Sequence, residues 1–171
     1  FFVFLAGREN KDIFYTALLP IRKRDIVKAR CWMIAVIELV QVALAVPLAI
    51  LANHLYHNAG NLAGIDLNVA FFGLVFGFLS AFNVTFIPLF YRTAYKLSTA
   101  LIAGSVAILL YYLAAEMLVW IPSPVSRFLD TLDPAAMVRQ LPILFAGMIV
   151  WLGTMFFTYH RAAANFEKVD L

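Results

Sequence analysis

Four apolar runs, Cys31–Ala52, Leu67–Tyr91, Leu97–Ile121 and Leu141–Tyr159, occupy most of the chain, and each is long enough to cross a bilayer as a helix. A spanning helix needs about 20 mainly apolar residues to cover ~30 Å of hydrocarbon, where every backbone polar group has to be satisfied internally. The fold class expected is therefore all-α, a polytopic transmembrane helical bundle with four full spans, near 31–52, 67–91, 97–121 and 141–159. Composition agrees: 64% of residues are hydrophobic and 13% charged, against about 45–50% and about 25% in soluble chains. Pro47 and Pro88 stand near the ends of the first two runs and are expected to kink them. Phe1–Ala6 is apolar but too short to span, with no initiator Met and no signal-peptide pattern. It reads as the stump of an earlier span in an N-terminally truncated chain, and residues 1–171 read as a single transmembrane domain. The sixteen Phe suit packing against lipid.

Charge orients these spans. Seven of the thirteen Lys and Arg lie between Arg8 and Arg30, immediately before the first run. The connection Asn53–Asp66 has none, the turn Arg92–Lys96 has two, and Pro122–Leu141 has two offset by Asp130 and Asp133. The positive-inside rule puts loop 7–30, turn 92–96 and the C-terminal tail in the cytoplasm of a multi-pass cell-membrane protein. Trp32 and Trp120 mark an inner and an outer boundary. The basic balance is a matter of topology, so no nucleic-acid partner is implied. Gly73, Gly77 and Ala81, and Ala100 with Gly104, form small-residue steps that read as packing faces within the bundle.

Polar residues inside the spans are expensive and usually face the bundle or a water-filled path. Glu38 and Gln41 share one face of the first span and are candidates either to line a translocation path or to pair with a charge on a helix that the chain lacks. Asn83 reads as interhelical hydrogen-bonding glue, and Glu116 as a carboxyl reaching outward. His54 and His57 lack a third ligand, the single Cys31 excludes a multi-cysteine site, and no metal centre is expected. There is no phosphate-binding GxxxxGK[ST], no HExxH and no GxSxG, so no catalytic residue is assigned. The outer segment Pro122–Leu141 holds a short surface helix at Pro124–Leu129, read as a cap on the bundle or as a lipid-surface anchor.

The loop before the first full span has its own pattern. A short helix starts from Asn10, with Asp12 in the favoured first turn and Ile13, Phe14, Ala17 and Leu18 along one face. Pro20 ends it, and the basic turn Arg22-Lys23-Arg24-Asp25 leads into the span. Such a helix either lies in the headgroups or seats its apolar face in a groove on a partner.

The string Asn10-Lys11-Asp12-Ile13-Phe14, continued by Leu18-Leu19-Pro20-Ile21-Arg22-Lys23-Arg24-Asp25 and ending at Arg30, resembles the cytoplasmic loop of small bacterial ABC-2 type permeases. Asn165–Leu171 is similar to the C-terminus of the same family, and the likeness spans essentially the whole chain. The family has six spans, so the resemblance implies that the first span and most of the second are lacking. It implies a permease subunit of an ATP-binding-cassette exporter, with no cofactor in this chain and with ATP and Mg bound by a separate ATPase subunit. The matched loop would be the coupling helix: Asp12, Ile13, Phe14, Leu18 and Leu19 at the ATPase contact, with Arg22, Lys23, Arg24 and Asp25 on its rim. A second permease copy, as homo- or heterodimer, is implied too. Family exporters of this size carry amphipathic peptides or toxic amphiphiles. A non-transporting scaffold or immunity protein that uses the loop to hold a cytoplasmic partner is the alternative.

Overall fold

A computed structural model describes residues 2–55, 64–93 and 96–169, with the side chains of Phe2, Ile13, Phe14 and Ala17 outside that description. Every regular element among the described residues is α-helical: α1 Phe2–Glu9, α2 Asp12–Ala17, α3 Lys23–Leu55, α4 Val69–Thr93, α5 Leu97–Trp120, α6 Pro124–Leu129, α7 Pro134–Arg139 and α8 Leu141–Glu167. Four of them, α3, α4, α5 and α8, are long and apolar enough to cross a membrane. The chain is thus the expected all-α multi-pass bundle. His57, of the His54–His57 pair, lies outside the described residues.

Two of the long helices outrun the apolar segments that announced them. α3 has 33 residues, roughly 50 Å of helix, and begins eight residues before Cys31. Nothing between Lys23 and Arg30 breaks a helix, so its first two turns continue through polar sequence and project from the hydrocarbon. α8 likewise continues beyond Tyr159 to Glu167. Much of the 7–30 segment is therefore helical. Asn10 and Lys11 close α1, with the Asn10 N–H donating to the Ala6 carbonyl at 2.9 Å and Lys11 at φ 52°. α2 then opens at Asp12. After α2 the Ile21 N–H reaches the Leu19 carbonyl at 2.7 Å around Pro20, the tight stop that proline imposes. Pro47 and Pro88 sit within α3 and α4, which remain continuous helices.

α4 is the central helix, packed most extensively on α8 and also on α5. Glycine makes these approaches close. A Cβ at Gly73 would sit 2.7 Å from the Ile143 carbonyl oxygen of α8, and one at Gly147 would collide with the Gly73 carbonyl. Gly104 of α5 faces Phe82 and Phe86 of α4, and Gly77 faces the Tyr111 hydroxyl of α5. Both small-residue steps therefore lie at contacts inside the chain. Gly147→Leu should separate α4 from α8, with a loss of about 1–3 kcal/mol or more from overpacking. Gly153→Leu, whose Cβ would meet open space, should cost far less. Thermal unfolding of the two variants in detergent checks this.

The core lies at the basic end, where α1, α3, α4 and α8 converge. Phe4, Val27, Phe86, Phe90, Tyr91, Ala162 and Phe166 are almost completely buried there. Phe4 packs edge-on against Phe90 and Phe86, with ring centroids 4.6 and 5.0 Å away. Several of the phenylalanines expected to face lipid instead build this cluster. They hold α1 onto the bundle.

The opposite end is closed by polar staples. The Asn68 amide donates to the Leu129 carbonyl at 2.5 Å and the Thr131 carbonyl at 3.1 Å, while its oxygen accepts from the Phe71 N–H at 2.9 Å. Gln140, fully buried, donates to the Phe128 carbonyl at 2.7 Å and accepts from the Ala70 N–H at 3.1 Å. These two side chains pin the α6–α7 segment across the start of α4. α6 forms where expected, with Ser123 and Ser126 as a reciprocal cap. The Asp66 N–H donates to Asp130 at 3.0 Å, and partial burial together with the Asp130 carboxylate pushes the Asp66 carboxyl above its ordinary value.

Candidate functional site

Two features stand out: an exposed apolar ridge at the basic end, and a carboxyl group gripped between three helices beside a groove. The ridge follows α2. Leu18 is 83% exposed and Leu19 54%, and Tyr15 and Ile21 are exposed beside them. These residues lie outside the four long helices, so lipid contact along a span does not account for their exposure. The backbone of Ile13 and Phe14 belongs to α2.

The ridge is tied to the bundle by charge. Arg30, only 7% exposed, pairs with Asp12 at the first position of α2 and lies over the Phe4 ring, 5.4 Å from its centroid. Asp12 is thus part of the anchor as well as of the ridge. Lys23 and Arg24 turn toward the end of α8: Lys23 Nζ donates to the Val169 carbonyl at 2.6 Å, and Arg24 bridges Glu167 at 2.5 and 3.0 Å. Arg22 and Asp25 remain on the surface. Of the basic turn, then, two cations lace α3 to α8 and one faces outward.

Near the middle of α3, Glu38 is 7% exposed, and its carboxyl group accepts three hydrogen bonds. The Asn83 amide of α4 donates to both oxygens at 2.8 and 3.0 Å, and the Trp151 indole of α8 donates at 2.8 Å. A buried carboxyl without donors would be costly, and here α3, α4 and α8 each supply one member of the contact. Asn83 is interhelical glue, as its place within a span suggested. Trp151 was missed. Tryptophans of membrane proteins favour the interfaces, and one at the middle of an apolar run was the available signal.

Beside this clamp a groove of about 440 Å3 opens between α3, α4 and α5. Its walls are mostly apolar, among them Phe71, Phe78, Leu79 and Tyr112, and both Glu38 and Gln41 border it. Glu116 borders it too, with its carboxyl packed against the backbone of Gly64, where a Cβ would come within 2.6 Å of an oxygen. Glu116, near the far end of α5, therefore meets the connection that precedes α4. Gly64 has φ 95°, a conformation that glycine adopts without a side-chain penalty.

A sequence model described as an ABC-2 family transporter protein matches residues 3–161. No curated protein and no solved structure matches the chain.

Proposed function

Because the chain belongs to the ABC-2 transporter family, as a membrane-spanning permease subunit, we propose that its α2 ridge docks a separate ATP-binding-cassette ATPase and passes that subunit's movement into the bundle for export. The observation that carries this reading is the pairing of an exposed apolar ridge, Leu18 and Leu19, with a buried anchor, Arg30 to Asp12, at its root. An apolar ridge gains from burial in a partner groove, and the charges of Arg22 and Asp25 at its edge set register. The anchor makes α2 and the base of α3 move together. Lys23, Arg24 and Glu38 then couple α3 to α8 and α4. On this reading the basic end faces the cytoplasm, ATP and Mg sit in the partner, and two permease copies form the pore. The groove bordered by Glu38 and Gln41 is the path, and its apolar walls suit an amphiphile.

Leu18→Asp with Leu19→Asp should reduce co-purification of the partner ATPase by roughly 100-fold, because both charges would be desolvated at the contact. The bundle should keep its thermal stability, since neither residue is buried in it. Undiminished co-purification would remove the docking role. Loss of docking without ATP-dependent efflux from wild-type vesicles would favour a scaffold that holds its partner but transports nothing.

A further inference from the structure

Between α4 and α8, at the basic end, a second cavity of about 630 Å3 has no place in the docking or the path described above. Arg92, Arg161 and Lys168 line it together with Val84, Leu89 and Val169. The charge is one-sided. Among the described residues the ion pairs are Arg8–Glu9, Arg24–Glu167 and Arg30–Asp12, and none of them engages the three cations of this cavity. Its other polar groups are already used within the protein. The Asn165 amide donates to the Pro88 carbonyl at 2.9 Å, and the Thr85 hydroxyl donates to the Ala81 and Phe82 carbonyls of its own helix.

Three cations around an apolar floor select an anion, and the surroundings say which kind. The space is many times that of one water molecule, about 30 Å3, so it exceeds the needs of a simple ion. Arg161 is held over the Phe157 ring, 5.7 Å from its centroid. Val150 and Phe157 lie at helical spacing on the same face of α8 as Arg161, and both are exposed on the apolar surface. A group bound at Arg161 therefore lies on the helix face that carries two exposed apolar side chains, Phe157 about one turn and Val150 about three turns along the span. Basic pockets between membrane helices hold anionic lipid headgroups by this combination of charge and apolar contact.

We propose that this α4–α8 cavity binds an anionic phospholipid, its phosphate among Arg92, Arg161 and Lys168 and its acyl chain along Phe157 and Val150. The lipid would bridge the two helices that form the bundle's largest contact, close to the α3–α8 lacing. It would tie the basic end to the membrane surface.

Native mass spectrometry of the full chain, released from nanodiscs of mixed phosphatidylglycerol and phosphatidylcholine, tests this. One phosphatidylglycerol should stay bound. Arg92→Gln with Arg161→Gln and Lys168→Gln should weaken its retention on the order of a hundredfold, at roughly one decade or less per cation. Lys28→Gln, an exposed cation elsewhere at the same end, should retain it as wild type does. Photoreactive phosphatidylglycerol with a diazirine in its chain should label the α8 peptide containing Phe157 in the unaltered protein, whether or not the triple variant folds. Equal retention of phosphatidylcholine, labelling confined to other helices, or full retention by the triple variant would overturn the proposal. So would stabilisation by inorganic phosphate as large as that by the lipid, which would make this a simple anion site. If the triple variant kept its lipid but lost the ATPase, the cations would belong to an acidic surface on that partner instead.

Discussion

Asp12→Ala should be among the most damaging substitutions in the chain, although its carboxylate is only partly buried. It removes the counter-charge of Arg30, whose side chain is 8% exposed and whose Nη1 already lacks a hydrogen-bond partner among the described residues. Stripping one partner from a buried pair costs about 3–5 kcal/mol, and partial exposure on the aspartate side places the expected loss near the lower figure. Replacing both partners, Asp12→Ala with Arg30→Met, should recover much of that stability, because an apolar pair leaves no unpaired charge in the core. It should not recover coupling. The anchor between ridge and bundle is absent from both variants, so ATP-dependent transport should stay low in the double variant while its thermal unfolding approaches that of wild type. If transport returned along with stability, the pair would serve folding alone and the mechanical link would lie elsewhere.

The second large effect is expected at Glu38. Glu38→Ala leaves the Asn83 amide and the Trp151 indole N–H facing an apolar interior, each at a cost of about 1–3 kcal/mol. Glu38→Gln should cost less, because its oxygen still accepts from one of the two donors. Trp151→Phe removes the indole donor and should cost less in the Glu38→Ala background than in wild type. A double-mutant cycle on Glu38 and Trp151 should therefore give a coupling of about 0.5–3 kcal/mol. Independent effects would mean that the three helices are not joined through this carboxyl. The groove beside it adds a functional consequence: loosening the clamp changes the wall of the proposed path, so transport should fall more steeply than stability.

Periodicity and apolar length made the architecture legible. The four spans could be read because a helix in lipid has to be long, continuous and apolar, and Leu19-Pro20 could be read because proline stops a helix by its own geometry. Helix ends were less legible. α3 starts at Lys23 rather than at Cys31 because polarity limits a span, whereas only a breaker limits a helix. The contacts that close the bundle depend on which faces meet, and one chain carries little of that. Gly147 stands in no small-residue step that the sequence singles out, yet the Gly73 carbonyl lies directly against it. Gln140 lay in a segment read as a connection and Asn68 at the very start of the second span, yet both are buried and staple the far end. Arg30 appeared as one more positive charge in a basic loop, while its side chain turns inward over the Phe4 ring. Glu38 was singled out because a carboxyl within a span demands a partner, and that demand is met by Asn83 and Trp151. Leu18 was legible from helical phase and Pro20 as a stop, while Leu19 entered the proposed contact only through the family resemblance.

The docking of that ridge can be tested at a single position. With a photoreactive residue in place of Leu18, in the permease co-expressed with the ATP-binding-cassette ATPase proposed as its partner, illumination should give a covalent permease–ATPase adduct. The same residue in place of Trp120, exposed at the opposite end of α5, should give none. An adduct at position 18 alone establishes both the contact and the side of the membrane on which it forms. No adduct at 18, or one at 120, would contradict the account.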